Sequence, residues 1–179
     1  MDYKNILDFW FIEIGKENWF KKSESLDDLI RDRFLTLYQA AIANELYTWR
    51  ENARGCLAEI IVLDQFSRNL FRNSALAFVN DPLALCLAQQ AVKLKYDREL
   101  SLTERAFLYM PYMHSESLII HEQAIALFSI EGLEDNYRFE LRHKEIIEQF
   151  GRYPHRNELL SRTSSKKEIE FLQRPGSSF

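Results

Sequence analysis

The sequence predicts an all-α protein, and three observations carry that prediction. The 179 residues include only five glycines and four prolines. Because these residues interrupt helices and form turns, such small numbers favour long helices over a β-sandwich or β-barrel with many turns. No segment of useful length alternates apolar and polar residues with the period of a strand. Apolar residues recur instead at spacings of three and four, which predicts about seven to nine helices joined by short connections. Antiparallel helix pairs, packed as a bundle or a short array, suit this pattern.

Composition narrows the class of protein further. Apolar residues make up 46% and charged residues 28%, so the chain can build a core and is not disordered. Its length suits a single domain over residues 1–179. A net charge of −4 argues against a general nucleic-acid binder. The N-terminus lacks the basic and apolar regions of a signal peptide, and no apolar run is long enough for a membrane span.

We therefore expect a cytoplasmic protein with neither a nucleic acid nor a membrane as its partner. Its two cysteines, Cys56 and Cys86, would be reduced there. They match no zinc or redox spacing, and the simplest interpretation is that both are small core residues.

In the first half of the chain, helix boundaries follow from caps and glycines. Asp2 is a plausible N-cap for the first helix, and Gly15 can end it because glycine readily adopts positive φ. The Trp19-Phe20 pair falls in a connector. The predicted helices are residues 2–14, a second from Ser25 or Asp27 to about Ala43 or Trp49, and a third that follows Gly55 and reaches at least Phe66.

In the second half, proline and glycine mark most boundaries. Asp81 is a typical N-cap, with Pro82 at the first helical position. Pro111 should end a helix, since the residue before proline disfavours helical geometry. The predicted helices are Asp81 to about Lys95, Thr103 or Glu104 to before Pro111, Ser115 or Ser117 to near Gly132, residues 134–149 closed by Gly151, and Lys166–Leu172 after Ser164 or Ser165. Residues 174–179 should form an extended or loose tail.

Residues 63–72 form the first of four segments with polar residues that a plain helical domain does not need. If the segment is helical, Asp64, Arg68 and Arg72 form one stripe, and Gln65 and Asn69 form a second stripe beside it. One interpretation is an ion-paired helix end. The other is an acid held beside guanidinium groups that face a pocket.

Residues 109–116 form the second segment. His114 lies just before a predicted helix, with Ser115 as a cap and Glu116 in the first turn, where the helix dipole attracts anions. A simple capping arrangement explains the same residues. His121 lies two turns further on, but the pair lacks the second histidine of the zinc-binding helix motif, and we expect no metal.

The third and fourth segments contain arginine beside histidine. Arg142 and His143 lie late on a helix, where a cation complements the dipole. Residues 150–157 bring two arginines, a histidine and an asparagine to a tight turn: Arg152, His155, Arg156 and Asn157. The guanidinium group of arginine can donate two parallel hydrogen bonds to carboxylate or phosphate oxygens. These arginines could equally connect helix ends through hydrogen bonds within the protein.

Several signatures of known chemistry are missing. The sequence has no phosphate-binding Gly-rich loop, no dinucleotide fingerprint and no nucleophile elbow. No cysteine–histidine arrangement suggests a thiol nucleophile. We therefore expect no cofactor, and nucleotide binding by the standard loops is not predicted.

The four segments, taken together, resemble the DUF924 family of proteins of unknown function. The resemblance rests on Phe9-Trp10-Phe11, Leu63–Asn69, Met110–Glu116, Arg142-His143, Phe150–Asn157, Glu170-Phe171-Leu172 and the terminal Phe179. It covers nearly the whole chain and implies a tetratricopeptide-like α-α superhelix. Because the family has no established activity, it implies no catalytic role for any residue.

The chain departs from the family pattern at three positions. Ser67 stands where the family usually has proline, and Asn73 and Ser161 stand where it often has glycine. Ser67 lets the third helix continue, which decides whether Arg68 and Arg72 point the same way.

Two functions follow from these residues, and the sequence leaves open whether the protein is an enzyme. The first is a pocket for an anionic small molecule, with hydrolysis or transfer as its chemistry. Its candidate catalytic residues are His114, His143, His155, Asp64 and Glu116. Its candidate ligand-binding residues are Arg68, Asn69, Arg72, Arg142, Arg152, Arg156 and Asn157. The second is a scaffold that binds a protein or peptide on a helix array, and the carboxylate of Phe179 could itself dock against arginine.

Overall fold

The prediction of an all-α protein is confirmed. A computed structural model describes residues 1–177, and every regular element in that range is a helix. The α-helices are α1 (Tyr3–Asp8), α2 (Glu24–Ile42), α3 (Ala53–Ile61), α4 (Ser67–Leu70), α5 (Asp81–Lys93), α6 (Leu102–Met113), α7 (Leu118–Phe128), α8 (Glu134–Phe150) and α9 (Lys166–Leu172). From α5 to α8 each helix packs on the next, which fits an array of helix pairs.

Two π-helical segments interrupt the regular helices. Phe9–Ile14 extends α1, and Val62–Phe66 joins α3 to α4. The two segments meet in the core, where the ring of Phe9 packs edge-on against Phe66 at 5.9 Å. A π turn re-aims the side chains that follow it, so these segments affect where the polar stripe after residue 63 points.

Local signals located several helix ends correctly. Asp2 caps α1 with a capping box, Gly15 follows the first π segment with φ +71°, and Gly151 ends α8 in the left-handed region. Ser165 caps α9 with a second capping box. Side-chain caps satisfy the free N–H groups of a first helical turn, which explains why these residues work.

Other predicted boundaries were wrong. Ser23, and not Ser25 or Asp27, caps α2. Asn52 caps α3, which leaves Gly55 inside the helix instead of before it. A Cβ on Gly55 would lie 2.2 Å from the carbonyl oxygen of Trp49, so this glycine is required by a close backbone approach.

Four further helix boundaries in the second half of the chain also differ from the prediction. Helix α6 starts after Ser101 and continues through Pro111, because every residue from Ala106 to Met113 is buried and packing outweighs the lost hydrogen bond. Asp81 is the first helical residue of α5, not its cap, and α7 ends at Phe128.

The core is rich in aromatic rings from distant parts of the chain. Phe66 contacts Phe9, Trp10 and Phe34, with ring centroids 5.1–5.9 Å apart. Cys56 is buried as predicted, but the prediction for Cys86 was wrong, since it is exposed on α5. Aromatic pairs of this kind add to the stabilisation that their buried area already supplies.

Two of the three departures from the family pattern occupy the left-handed region. Asn73 has φ +60° and Ser161 has φ +53°, where a side chain costs more than glycine does. The third, Ser67, is buried, and its one hydroxyl proton is shared between the carbonyl oxygens of Asp64 and Ala77, at 3.0 and 3.1 Å from Oγ.

One described segment, Ala75–Lys93, is long and apolar enough to cross a membrane by length and composition. It includes α5, whose Ala84, Leu87, Ala88 and Ala91 are buried against the rest of the protein. The core helix of a globular protein has the same properties.

The described part of the tail is turned and not extended. After α9, Ser177 is buried and its Oγ donates to the carbonyl oxygen of Leu172 at 3.1 Å. The terminal Phe179, and with it the predicted docking of its carboxylate, lies outside the described residues.

Candidate functional site

A cavity of about 450 Å³ lies where α5, α6 and α7 meet the turn at residues 154–156. Its polar lining is Asp81, His114, Ser115, Glu116, Ser117 and Arg156, and its apolar wall includes Phe78, Val79, Pro82, Leu85, Pro111, Ile120 and Leu160. The second and fourth polar segments therefore meet here. The first segment lies directly behind this lining, through Asp64 and Arg68.

Asp64 holds His114 at the wall of the cavity. The carboxylate is fully buried, and its Oδ1 lies 2.7 Å from Nδ1 of His114. Burial alone would raise the pKa of Asp64, but the nearby Arg68 and His114 outweigh it and hold that pKa well below its usual range. An ionised Asp64 accepts a proton-bearing Nδ1, so neutral His114 keeps the lone pair on Nε2.

The π segment places Asp64 in this position. The carbonyl oxygen of Asp64 accepts hydrogen bonds from Ser67 Oγ and Arg68 Nη1, and Gln65 Nε2 donates to its Oδ2. Oδ1 of the carboxylate lies 3.2 Å from Arg68 Nη1 in addition to its contact with His114. Both carboxylate oxygens and the backbone of Asp64 are therefore held, which makes this residue a rigid anchor for the imidazole.

Asp81, the first residue of α5, accepts hydrogen bonds from two arginines. Its Oδ2 accepts from Arg68 Nη2 at 3.1 Å and from Arg156 Nη1 at 3.2 Å. The Arg156 guanidinium lies between the rings of Phe78 and Tyr153, 4.5 and 4.7 Å from their centroids. Arginine stacks favourably on aromatic faces, which fixes this side chain at the cavity.

Arg156 retains an unused donor. Its side chain is 8% exposed, and its buried Nε makes no hydrogen bond with any described residue. Burial lowers the pKa of this guanidinium, although arginine stays charged at any ordinary pH. A buried N–H group without a partner is costly. The cavity lining also holds a buried acceptor without a hydrogen bond, Oδ1 of Asp81, which lies 3.1 Å from Arg68 Nη2.

Glu116 clamps the turn that carries Arg156. It accepts the backbone N–H of Tyr153 at 2.7 Å and two hydrogen bonds from Arg162, at 2.6 and 3.0 Å. Burial would raise the pKa of Glu116, but Arg162 and the Tyr153 N–H lower it below the ordinary value. Glu116 therefore acts as a fixed anion that positions the turn against the start of α7.

A buried polar network lies behind the cavity. His121 Nδ1 is 2.7 Å from Glu140 Oε1, both side chains are fully buried, and His121 Nε2 is 2.8 Å from the Ser115 carbonyl oxygen. The Tyr153 hydroxyl donates to the Met113 carbonyl oxygen at 2.6 Å. These contacts tie α8 to the loop between α6 and α7.

Two predicted histidines lie away from the cavity. The rings of His143 and His155 pack on Tyr153 at 5.8 and 5.5 Å, and neither lines the cavity. Burial lowers the pKa of His143 to about 3 and that of His155 to about 4. Both are therefore neutral at physiological pH.

Several predicted ligand-binding residues have partners elsewhere. Arg72 and Asn69 bond to Asp27 on α2, because the helix ends at Leu70 and the stripe turns away from Arg68. Arg152 and Asn157 bond to Glu168 on α9. These four positions fit the interpretation that arginines and amides tie helices together.

Arg142 lies over the ring of Phe139 on α8, with Gly176 beside its guanidinium. It does not line the cavity. Of the predicted residues, His114, Glu116 and Arg156 line the cavity, and Asp64 and Arg68 support it. Their roles in binding or catalysis stay predictions.

Sequence reasoning missed three residues that build the site. Asp81 looked like a helix cap, while Tyr153 and Arg162 carried no spacing signal at all. Arg162 donates to Glu116, 46 residues away, as well as to Tyr153 and Asn157, nine and five residues away. Pairings over such separations appear only in the folded chain.

The two histidines near the cavity, His114 and His121, do not belong to a cluster of metal ligands. Within residues 1–177, no group of three or more His, Cys, Asp or Glu side chains is placed to hold a metal ion. His114 and His121 bond to different carboxylates, Asp64 and Glu140.

Comparisons with known proteins agree with the fold. The chain is similar to a solved structure of a protein of unknown function from Agrobacterium tumefaciens, with 36% identity, a TM-score of 0.90 and 96% of each chain covered. No curated protein matches significantly. The profile of the DUF924 family, described as bacterial proteins of unknown function, matches residues 6–176. The chain therefore belongs to the DUF924 family.

Proposed function

We propose that the cavity binds a small molecule with one anionic group, a phosphate or a carboxylate, and an apolar body. The observation that carries the proposal is the guanidinium of Arg156 in the cavity lining, which packs on the rings of Phe78 and Tyr153 and, within residues 1–177, makes one hydrogen bond, from Nη1 to Asp81. An anion in the cavity would gain a charge-assisted hydrogen bond from this guanidinium. The apolar residues of the wall, such as Leu85 and Ile120, would cover the rest of the molecule.

The charges around the cavity support this choice. Arg68, Arg156 and Arg162 face the carboxylates of Asp64, Asp81 and Glu116. Each carboxylate is bonded to at least two donors, although Oδ1 of Asp81 accepts no hydrogen bond. The three arginines balance the three carboxylates in charge, so an anion in the cavity would meet no net negative charge from these six groups.

His114 supplies the chemistry that the pocket could perform. An imidazole whose Nδ1–H is held by a buried carboxylate presents Nε2 as a general base. In hydrolysis, a water proton would pass to Nε2 while the water oxygen attacks the bound molecule, and the leaving group would then take that proton. We infer hydrolysis or transfer on an anionic small molecule as the reaction class, with Asp64 as the positioning residue.

A thermal-shift titration tests the binding proposal. The probes are phosphate, sulfate, phenyl phosphate, benzoate and short dicarboxylates. A probe at about 100 times its Kd adds roughly 2.7 kcal/mol, which corresponds to about 5–10 °C for a chain of this size. Arg156→Gln should abolish the shift.

Arg152→Gln is the matched control, because Arg152 also pairs with a buried carboxylate, that of Glu168, but away from the cavity. It should lower the melting temperature without changing the ligand response. Equal loss of response in both variants would contradict the proposal. A flat response of the unmodified protein to every probe would favour the alternative, a scaffold for peptides or proteins.

A further inference from the structure

We propose that Glu140 is a protonated carboxylic acid that positions the loop between α6 and α7 by way of His121. This loop, residues 114–117, carries His114 and Glu116 into the lining of the cavity. Neither Glu140 nor His121 lines the cavity, so both are positioning residues. The consequence for ligand binding rests on the proposed function, whereas the protonation state of Glu140 and the placement of His114 are measured without a ligand.

Both ring nitrogens of His121 face an oxygen atom. Nε2 lies 2.8 Å from the carbonyl oxygen of Ser115, which can only accept, so Nε2 carries a proton. The Tyr153 hydroxyl, 3.2 Å from the same nitrogen, gives its own proton to the Met113 carbonyl oxygen. Nδ1 lies 2.7 Å from Oε1 of Glu140, a contact that requires one further proton. That proton belongs either to His121, as an ion pair, or to Glu140, as a neutral acid.

A comparison with the other buried carboxyl groups assigns this proton to Glu140. Among the described residues, four of the five buried carboxyl groups pair with an arginine, and Glu140 is the fifth. The four are Asp27, Glu59, Asp64 and Glu168. Oε2 of Glu140 is buried and accepts no hydrogen bond from any residue in the range 1–177. A buried carboxylate with one bare oxygen is more costly than a neutral acid in the same place.

The groups around the pair offer little stabilisation to an ionised Glu140. Lys144 lies one helical turn further along α8, but its ammonium group pairs with Glu148. His143, on the same helix, is neutral at physiological pH because burial lowers its pKa to about 3. Burial also raises the pKa of Glu140, although His121 and Lys144 oppose this effect. A carboxylic acid that burial keeps neutral can donate a hydrogen bond, which here goes from Oε1 to Nδ1 of His121.

The neutral pair reaches the cavity through the backbone of the loop. By donating to Nδ1, Glu140 fixes both the tautomer and the ring orientation of His121. His121 then donates from Nε2 to the carbonyl oxygen of Ser115, the residue that directly follows His114. A fixed Ser115 keeps the His114 ring at 2.7 Å from the Asp64 carboxylate. Glu140 therefore acts on His114 without touching it.

The position of the proton is measured by long-range ¹⁵N correlation spectra of the full-length protein at neutral pH. We expect a neutral His121 ring, with a proton on Nε2 and a bare Nδ1. A spectrum in which both nitrogens of His121 carry a proton would show an ion pair. That result would overturn the assignment of the proton to Glu140.

Glu140→Gln is the conservative variant. Its side-chain N–H donates to Nδ1 of His121 as the acid does, so we expect His114 to keep its Nδ1–H tautomer. Glu140→Ala removes the donor and leaves a buried nitrogen without a partner. We expect the loop to shift in this variant, so that His114 loses its contact with Asp64 in part of the molecules. The two ring ¹⁵N shifts of His114 should then move towards one another.

Glu59→Ala is the matched control for lost stability. Glu59 is also fully buried, but it pairs with Arg50 and does not line the cavity. We expect it to lower the melting temperature and to leave the His114 tautomer unchanged. Equal disturbance of His114 in both alanine variants, or in neither, would overturn the positioning role. Disturbance in Glu140→Gln as large as in Glu140→Ala would overturn the neutral acid.

A titration with phenyl phosphate separates this inference from the proposed function. Glu140→Ala should bind it about tenfold more weakly than the unmodified protein, the equivalent of one hydrogen bond, and Glu140→Gln should bind it equally well. Unweakened binding by Glu140→Ala would overturn the positioning role and leave the anion pocket standing. If the unmodified protein binds no probe, the proposed function fails, and the histidine spectra alone decide the role of Glu140.

Discussion

The two ends of the molecule are held together by different forces. Helices α1 to α3 pack through aromatic and aliphatic side chains such as Trp10, Phe34 and Phe66, all nearly fully buried. The C-terminal region has a much smaller apolar cluster of Ile146, Ile147 and Tyr153, against which Phe150 of α8 and Phe171 of α9 pack. Ion pairs such as Arg152–Glu168 supplement it there. The difference indicates that the arginines and acids of the C-terminal segments are mostly structural, and that Arg156 differs from Arg152 because it lines the cavity.

The largest expected effect lies in the aromatic region. Phe66→Ala should destabilise the protein by about 3–5 kcal/mol, because it removes ring contacts to Phe9, Trp10 and Phe34 and leaves a cavity. Urea unfolding measures the change. Phe20→Ala, at a site where the side chain is 71% exposed, serves as the control and should cost far less. Similar losses in both variants would contradict the comparison.

The C-terminal region should open locally before the rest of the protein does. Glu168 accepts hydrogen bonds from Arg152, Asn157 and the Ser165 N–H, so Glu168→Gln weakens three contacts at once. We expect amide exchange in α9 to accelerate while exchange in α3 stays unchanged.

Glu170→Gln is the control for that experiment, because Glu170 is exposed on the same helix. It should leave exchange in α9 as it was. If Glu168→Gln accelerated exchange uniformly over α3 and α9, the two regions would form one cooperative unit and the comparison would fail.

Acid should destabilise the protein through its buried histidines. Burial lowers the pKa of His143 to about 3 and that of His155 to about 4, so the folded state holds them neutral while the unfolded chain binds protons below about pH 6.5. Their contribution to stability is therefore complete above pH 6.5 and is lost as the pH falls towards 4.

His143→Gln should reduce this dependence. One fewer proton is taken up on unfolding, which lowers the slope of unfolding free energy against pH by about 1.4 kcal/mol per pH unit between pH 5.5 and 4.5. Urea unfolding at a series of pH values measures it. An unchanged slope would show that His143 is protonated equally in both states.

The smallest effect concerns the left-handed Ser161. Ser161→Gly should stabilise the protein by up to about 1 kcal/mol, because glycine adopts positive φ without the steric cost of a Cβ. Thermal unfolding measures the gain. Destabilisation would indicate that the Ser161 side chain makes a compensating contact.

Sequence reasoning succeeded where the signal was local. Asp2, Gly151 and Ser165 mark helix ends through contacts within a few residues, and the resemblance to the family was carried by contiguous motifs. It failed at Pro111, where burial of the whole final stretch of α6 overrides the local preference of proline.

The candidate site was predictable in residue types but not in pairing. Arg152 and Arg156 lie one helical turn apart in sequence, yet Arg152 bonds to Glu168 and Arg156 reaches Asp81, 75 residues away. Arg68 and Arg72 separate in the same way, because α4 ends between them. Which acid each arginine pairs with depends on how the helices pack. The spacing of residues along a single sequence does not reveal that packing.

The most direct test of the account asks whether binding occurs at the cavity that carries the Asp64–His114 pair. Long-range ¹⁵N correlation spectra of the imidazoles, assigned with single histidine variants, are recorded during a phenyl phosphate titration. The account predicts that the His114 Nε2 resonance shifts and saturates while His121, bonded at both nitrogens, stays in place. A saturable binding curve that leaves His114 unmoved would contradict it.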